Sequence, residues 1–323
     1  MSKIRFESVT KQFANTQRPS VDEVSFQIDE GSFVVLLGPS GCGKTTMLKM
    51  INRLIEPTAG AIYIGEQNVL DMDATELRRQ IGYVIQQIGL FPHMTVAKNI
   101  AIVPDLLKWP QDEIETRVDE LLTLVDLPPA EYRDRYPSQM SGGQRQRVGV
   151  ARALAGDPDV ILMDEPFGAI DAITRTGLQD EMIHLQHRLK KTIVFVTHDV
   201  EEALRLADKI VIMREGKIVQ YDSPFNILSH PADQFVRDLV GADDMVRQLS
   251  LIRVETAMEP LAMELLPSDF SKNGYPSIAY DADLRTALSL LLSTHVGALT
   301  VMDEETPLGL LTLQSIQSAA AEA

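Results

Sequence analysis

The sequence predicts an α/β protein built around a mostly parallel sheet and followed by a small α+β unit. The first observation is a glycine-rich loop at 38–46 that fits G-x-x-x-x-G-K-[ST] and follows an apolar strand segment at 32–37. The second is a pair of apolar strand segments, 160–163 and 192–196, on either side of a helical segment at 173–189. Strand–helix–strand order is typical of a parallel sheet.

Composition limits the classes of protein that remain. A chain of 323 residues suggests two domains, and 45% hydrophobic residues can bury substantial cores. The net charge of −16 argues against a nucleic-acid partner, which normally meets a basic surface. One cysteine excludes an internal disulfide and fits a reducing compartment. The most apolar long stretch, 284–302, contains arginine and histidine, so we expect a protein that is soluble or held at a membrane by a partner.

Taken in order, the chain alternates strand-rich and helical regions. Beyond the segments already named, apolar periodicity is helical from about 96 to 154, and Pro128-Pro129 is expected to break a helix there. We expect a helix over 47–54 directly after the glycine-rich loop. The remaining strands are predicted within 3–37 and at 61–64, 81–85, 210–213 and 218–219, the last two forming a hairpin.

The glycine-rich loop has the composition of a phosphate-binding site. Its glycines let backbone N–H groups turn inward around phosphate oxygens, and the start of the following helix adds a positive dipole end. Lys44 is expected to reach the β- and γ-phosphates, and the Thr45 hydroxyl to bind Mg²⁺. The alternative is a glycine-rich turn with a chance lysine, which the flanking strand and helix disfavour. The candidate ligand-binding residues are Gly38, Pro39, Ser40, Gly41, Cys42, Gly43, Lys44, Thr45 and Thr46.

Polar residues at the ends of three other strands add catalytic candidates. Asp164 is expected to hold Mg²⁺, and Glu165, one step closer to solvent, to polarise an attacking water as a general base. Gln86 is expected to sense Mg²⁺ and the γ-phosphate, and His198 to hydrogen-bond the γ-phosphate. A lone Gln or His at a strand end is more often structural, but the four residues together favour ATP hydrolysis. Cys42 is either an oxidation-sensitive thiol or a space-filling residue, and we favour the second interpretation.

The N-terminus of a second helix is also expected to bind phosphate. The sequence Ser141-Gly142-Gly143-Gln144 opens a helix predicted over 145–154, and a helix N-terminus attracts anions. Because one chain has one phosphate-binding loop, a second phosphate-facing helix end predicts a homodimer in which each subunit closes the other's site.

With these motifs in place, residues 1–240 resemble the ATP-binding subunit of an ATP-binding cassette (ABC) transporter. The signature sequence has Met140 where the family usually has leucine, and the segment 168–171, which ends in Asp171, resembles the family's D-loop. Phe13 lies where the family places an aromatic ring against adenine. The resemblance implies ATP and Mg²⁺ as cofactors. It also implies a P-loop NTPase fold with a RecA-like core, an antiparallel β subdomain and a helical subdomain at about 92–156.

Three segments resemble a narrower group, the ATPases of importers for glycine betaine, carnitine and choline. These segments are 48–57, 85–92 and 103–109. The resemblance implies two integral membrane permease subunits as partners and an extracytoplasmic substrate-binding protein as an indirect one. It implies a peripheral position on the cytoplasmic face of the membrane, with docking in a groove near 86–91. The alternatives are an importer ATPase for another small solute, such as a polyamine or a sugar, and a soluble ABC ATPase regulated by its C-terminal unit.

The C-terminal region, 241–323, is predicted to be a linker and a small α+β domain. A helix at 284–291 and strands at 297–302 and 308–312 resemble one cystathionine-β-synthase (CBS) motif, and 254–258 resembles a remnant of a second. A single motif is expected to pair with the copy in the other subunit. Such motifs often bind adenine nucleotides through an aspartate three residues after a threonine, but Ser315 follows Thr312 here. A packing module is therefore favoured, and a nucleotide ligand is left open.

Overall fold

The computed structural model describes residues 2–14, 16–86, 89–168, 172–242, 244–260, 275–304 and 306–322. Its packing divides the chain into two compact units, Met1–Ser223 and Pro224–Ala323. The domain boundary near residue 240 remains a prediction from sequence. No helix in the described part of the chain combines the length and the apolar character that crossing a lipid bilayer requires.

The first unit contains two sheets with helices around them. Its elements are β1 (Ser2–Lys11), β2 (Val21–Asp29), β3 (Phe33–Leu37), α1 (Lys44–Ile51), β4 (Ala59–Ile64), β5 (Gln67–Asn68), α2 (Ala74–Arg79), β6 (Ile81–Val84), α3 (Val96–Leu106), α4 (Gln111–Leu124), α5 (Pro129–Tyr132), a 3-10 turn (Pro137–Gln139), α6 (Gly142–Leu154), β7 (Val160–Asp164), α7 (Ala172–Leu189), β8 (Thr192–Val196), α8 (Val200–Leu206), β9 (Lys209–Arg214) and β10 (Lys217–Asp222).

The larger sheet has six strands in the order β10-β9-β3-β8-β7-β6. Strands β9, β3, β8, β7 and β6 are parallel, and β10 pairs with β9 as an antiparallel edge. Every residue of β3, β7 and β8 is buried, as expected for continuous apolar runs covered on both faces. The predicted α/β fold is confirmed, and the carboxyl ends of its parallel strands meet at one edge of the sheet.

The second sheet of this unit has four strands in the order β2-β1-β4-β5, all antiparallel. Ile4, Phe6, Ile28 and Ile62 lie in the hydrophobic core. The alternating pattern at the start of the chain therefore marks strands with one buried face, as predicted. This sheet is the antiparallel β subdomain that the sequence led us to expect.

The helical region differs from the prediction in two local details. Helix α1 begins at Lys44 rather than at 47, because the apolar spacing marks only the buried face of the helix. Helix α4 ends at Leu124, before the two prolines, and Pro129 begins the short helix α5. The predicted break is present, and Pro129 in addition starts the next helix, because proline has no N–H to donate and fits the first helical position.

The second unit is α+β. Its elements are α9 (Pro224–Ser229), α10 (Gln234–Val240), α11 (Met245–Leu249), α12 (Val254–Ala257), β11 (Glu259–Pro260), β12 (Ser277–Ala279), α13 (Leu284–Thr294), β13 (Ala298–Asp303), β14 (Thr306–Thr312) and α14 (Leu313–Glu322). Its sheet order is β11-β14-β13-β12, with β12 parallel to β13 and the other pairs antiparallel. The predicted helix and two strands are present. The segment at 254–258 forms α12 and its C-cap and leads directly into β11, which pairs with β14 at the edge of this sheet.

Candidate functional site

The glycine-rich loop follows β3 at the carboxyl edge of the parallel sheet and is closely packed. Gly38, Gly41 and Gly43 all have positive φ angles, of 152°, 81° and 113°. A Cβ atom on Gly38 would lie 2.3 Å from the carbonyl oxygen of Met213, and one on Gly43 would lie 2.2 Å from that of Ser20. A Cβ atom on Gly41 would meet no described residue within 4 Å. The backbone of the loop is therefore held by two segments that are distant in sequence.

The ammonium group of Lys44 lies inside the loop that precedes it. Its Nζ donates to the carbonyl oxygens of Gly38, at 2.7 Å, and Pro39, at 3.0 Å, and lies 3.8 Å from Cys42 Sγ. The Lys44 residue is only 6% exposed, and the Cys42 thiol is also buried. The loop thus encloses one positive charge within its ring of backbone groups, which suits a phosphate ligand.

Thr45 and Asp164 form the pair expected of a divalent-cation site. Thr45 lies in the first turn of α1 and Asp164 at the end of β7, and Thr45 Oγ1 donates to Asp164 Oδ1 at 2.8 Å. Burial raises the pKa of the Asp164 carboxyl, and the Thr45 hydrogen bond opposes that rise. A hydroxyl and a carboxylate oxygen at this spacing fit the hard-oxygen preference of Mg²⁺.

Glu165 is the point at which the ends of three strands converge. Its Oε2 accepts a hydrogen bond from Gln86 Nε2 at 3.1 Å, and its Oε1 lies 3.4 Å from His198 Nδ1. Its backbone N–H donates to the carbonyl oxygen of Val196 at 3.0 Å. Glu165 has a φ angle of 45°, a region costly for residues other than glycine and frequent at functional sites. The structure thus brings Gln86, Glu165 and His198 together next to the Thr45–Asp164 pair.

The second predicted anion site is an ordered helix start. Ser141 caps α6: its Oγ accepts from the Gln144 N–H at 3.2 Å, and Gln144 Oε1 accepts from the Ser141 N–H at 3.0 Å. Ser141 and Gly142 are exposed, and a Cβ atom on Gly142 would have no neighbour within 4 Å in the described part of the chain. This capping box makes the N-terminus of α6 rigid. Its contact with phosphate in a dimer remains a prediction.

Two further candidates stand apart from this cluster. The ring of Phe13 is 38% exposed, and Lys11 Nζ lies 5.2 Å from its centroid, so one face of the ring is near a positive charge. Asp171 lies outside the described residues.

Sequence reasoning missed the residues that support the glycine-rich loop. The Gly216 N–H, in the β9–β10 turn, donates to the Cys42 carbonyl oxygen at 3.0 Å, and the Asp22 N–H donates to the Gly216 carbonyl oxygen at 2.9 Å. The hairpin was predicted, but only as a turn. Hydrogen bonds between the backbone groups of remote segments leave no pattern of side chains. No sequence signal could therefore have shown that the β9–β10 turn supports the glycine-rich loop.

Comparisons with known proteins bear on the family and the fold of this chain. A family profile described as ABC transporter matches residues 21–168. The chain is 49% identical to the choline transport ATP-binding protein OpuBA of Bacillus subtilis (strain 168), with 94% of this chain and 76% of that protein aligned. It is 45% identical to the glycine betaine uptake system ATP-binding protein YehX of Escherichia coli (strain K12), over 97% and 98% of the two chains.

A solved structure shares both the fold and substantial sequence. It is the dimeric ATP-binding cassette MJ0796 in a post-hydrolysis state bound to ADP and Pi, which is 35% identical to this chain. The TM-score is 0.61, and the match covers 68% of this chain and 98% of that one. The similar region of this chain therefore corresponds to one ATP-binding cassette.

Proposed function

Since this chain belongs to the ABC transporter family, we propose that it is the ATP-hydrolysing subunit of an importer for quaternary-amine osmoprotectants of the glycine betaine, carnitine and choline class. The observation that carries the enzymatic part is the contact of Gln86 and His198 with one carboxylate, Glu165, beside the Thr45–Asp164 pair. The solute class is supported by relatives that are 49% and 45% identical over most of the chain. The solute class does not follow from the ATP site, because an importer recognises its solute in other subunits.

In this proposal the glycine-rich loop binds the triphosphate of ATP through its backbone N–H groups. Lys44 turns from the carbonyl oxygens of Gly38 and Pro39 toward the β- and γ-phosphates, exchanging two neutral acceptors for anionic ones. Phe13, with its exposed ring, stacks on adenine. The Phe13 ring is exposed to a ligand, and the Lys44 ammonium group can exchange its present acceptors for phosphate oxygens.

Thr45, Asp164 and Gln86 are the residues that would hold Mg²⁺, which supplies charge neutralisation between the β- and γ-phosphates. Glu165 orients the attacking water and accepts its proton, since its carboxylate is only partly covered and held from both sides. Gln86 and His198 hold Glu165 in position and lie where they can also contact the γ-phosphate. The Thr45–Asp164 hydrogen bond keeps the two cation ligands adjacent before nucleotide arrives.

We further propose that two copies bind two ATP molecules head to tail. The exposed N-terminus of α6, with Ser141, Gly142, Gly143 and Gln144, would then face the γ-phosphate bound by the other subunit. Asp171 would lie at the same interface, as the family resemblance implies. The proposal is supported by the dimeric state of the solved relative. ATP closes the dimer because its γ-phosphate contacts both subunits, and hydrolysis removes that contact and reopens it.

The membrane subunits are proposed to dock in the groove formed by β6, the start of the helical region and the loop after β6. The groove has a volume of about 340 Å³. Its described lining combines apolar residues, among them Ile81, Ile85, Phe91 and Val103, with Arg78, Arg79 and Arg152. An apolar groove with a basic rim suits an amphipathic helix carrying acidic residues. Docking there places this subunit on the cytoplasmic face of the membrane, with the extracytoplasmic binding protein acting only through the permease.

Truncating Phe91 tests the docking groove. Phe91 is 42% exposed, so Phe91→Ala should cost little stability but remove an anchor from the groove. We expect at least a tenfold loss of co-purification with the membrane subunits. Leu54→Ala is the matched control, because Leu54 is also exposed, at 48%, and does not line the groove. Equal co-purification of the Phe91→Ala variant and wild type would place the docking site elsewhere.

The C-terminal unit is proposed to be a packing module that pairs with its copy in the dimer. Thr312 and Ser315 satisfy each other: their hydroxyl oxygens lie 2.7 Å apart, and the Ser315 N–H donates to Thr312 Oγ1 at 3.1 Å. Ser315 Oγ also donates to the Glu259 carboxylate at 3.4 Å. The two hydroxyls are thus already engaged, and Ser315 stands where the family's aspartate would bind the nucleotide, which argues against a nucleotide ligand at these residues.

Reconstitution tests the proposed function and its rivals together. The chain, its membrane subunits and their binding protein would be placed in proteoliposomes with ATP and one solute at a time. We expect choline, carnitine or glycine betaine to stimulate ATP hydrolysis and to accumulate, and spermidine or maltose to do neither. Stimulation by the polyamine or the sugar would replace the solute assignment. ATPase activity that is the same with and without the membrane subunits and the binding protein would favour a soluble ABC ATPase.

A further inference from the structure

A buried polar cluster lies directly behind His198. Glu202, on α8, accepts hydrogen bonds on both carboxylate oxygens: Oε2 from Thr197 Oγ1 at 2.6 Å and Oε1 from Gln179 Nε2 at 3.2 Å. Thr197, Gln179 and Glu202 are 2%, 6% and 6% exposed. We call these three residues the buried clamp. It joins the end of β8 to α8 and to helix α7.

The clamp has one well-determined arrangement because Thr197 and Gln179 each donate a hydrogen bond to a different oxygen of the Glu202 carboxylate. Burial raises the pKa of the Glu202 carboxyl, and the bonds from Thr197 and Gln179 and the charge of Arg175 oppose that rise. Arg175 Nε lies 4.0 Å from Glu202 Oε1, and Arg175 Nη1 lies 3.4 Å from Asp199 Oδ2. A satisfied polar network in a low-dielectric interior is rigid, whereas losing one member leaves a buried group without its partner.

This arrangement fixes the backbone on both sides of His198. Thr197 Oγ1 also accepts from the Asp199 N–H at 3.0 Å, and the Thr197 N–H donates to the Leu36 carbonyl oxygen at 3.2 Å. Asp199 in turn caps α8 by accepting from the N–H groups of Glu201 and Glu202. The His198 side chain is 62% exposed, and within the described part of the chain its support is the contact of Nδ1 with Glu165 Oε1 at 3.4 Å. Its placement therefore depends on its neighbours.

We propose that Thr197 and Glu202 are positioning residues that hold His198 against Glu165, and that Gln179 and Arg175 connect this support to α7. The inference rests on the proposed ATP hydrolysis. Among the described residues, the clamp forms no hydrogen bond or ion pair with the glycine-rich loop or with the Thr45–Asp164 pair, so its loss should affect the chemical step and leave ATP binding intact. Helix α7 directly follows the segment 168–171, which is predicted to contact the other subunit. The hydrogen bond from Gln179 on α7 to Glu202 therefore connects His198 to that interface.

The first test removes the hydroxyl while keeping the shape of the side chain. Thr197→Val should lower kcat for ATP hydrolysis by about ten- to a hundredfold with KM for ATP unchanged, since small misplacements of catalytic groups have effects of this size. Thr197→Ser, which retains the hydroxyl, should restore most of kcat. Glu202→Gln should repeat the loss, because its amide presents a donor where the carboxylate accepted.

Thr192→Val is the matched control for stability. Thr192 begins the same strand, is 1% exposed, and its Oγ1 accepts from the Gly31 N–H at 2.9 Å. Thr192→Val loses a part-buried hydrogen bond in the same strand without any link to His198. We therefore expect Thr192→Val to lower the thermal midpoint, though by less than Thr197→Val, which loses two hydrogen bonds, and to keep the wild-type kcat. An equal loss of kcat in both variants would assign the effect to general destabilisation and overturn the proposal.

A double-mutant cycle and a spectroscopic readout complete the test. If Thr197 acts through His198, then Thr197→Val should have no further effect on kcat in the His198→Ala background. Imidazole ¹H–¹³C resonances, with that of His198 assigned by its loss in His198→Ala, should shift in Thr197→Val and stay in place in Thr192→Val. Additive effects on ln kcat or an unshifted His198 resonance would overturn the inference. A wild-type protein without ATPase activity would instead overturn the proposed function.

Discussion

Glu165→Gln should reduce kcat for ATP hydrolysis by about two to four orders of magnitude, the usual contribution of a general base. The amide keeps the size of the side chain and can still meet Gln86 and His198, which lie 3.1 Å and 3.4 Å from the native carboxylate oxygens. It cannot accept the proton of water. ATP should therefore bind and close the dimer without being cleaved, so the variant should accumulate as an ATP-bound dimer on size-exclusion chromatography with multi-angle light scattering.

Glu120→Gln provides the control for removing a negative charge. Glu120 lies on α4, its side chain is 61% exposed, and its contact is a surface ion pair with Arg117 at 3.6 Å. We expect this variant to hydrolyse ATP at the wild-type rate and to return to monomer after hydrolysis. A Glu165→Gln variant that stays monomeric with ATP would contradict the head-to-tail mechanism. One that keeps its kcat would move the general base to another group.

Gly43→Ala should weaken ATP binding by about ten- to a hundredfold, through backbone strain of about 1–3 kcal/mol. The φ angle of Gly43 is 113°, and its added Cβ would lie 2.2 Å from the Ser20 carbonyl oxygen. No side-chain rotation relieves a contact with backbone, so the loop must move. Its N–H groups then no longer converge on phosphate. Isothermal titration with a non-hydrolysable ATP analogue measures the loss directly.

Gly65→Ala separates the loss of the phosphate site from the general cost of alanine at positive φ. Gly65 has a φ angle of 59°, lies between β4 and β5, and has nothing within 4 Å of its added Cβ. We expect Gly65→Ala to lose some stability but to bind the analogue as wild type does. If Gly43→Ala also retained wild-type affinity, the close packing of the loop against Ser20 would not matter for nucleotide binding.

Local sequence patterns were sufficient for the fold class, and they selected the candidate site residues, whose roles stay predictions. The buried strands and the loop at 38–46 have patterns that report burial and backbone freedom directly, so their order predicts where the strand ends meet. Helix boundaries were less accurate: α1 begins before its apolar spacing, and Pro129 starts a helix. Periodicity records the buried face of a helix, whereas capping decides where the helix begins and ends.

The sequence by itself determined which chemical groups are present: a lysine in a glycine-rich loop, acids after an apolar strand, and a glutamine and a histidine after two others. Only the tertiary structure decided that Gln86 and His198 meet on Glu165, that Ser20 and Met213 brace the loop, and that Glu202 sits beneath Thr197. The physical reason is that these are contacts between residues far apart along the chain. Many involve backbone carbonyls, which every residue possesses, so they leave no mark in the local pattern of side chains.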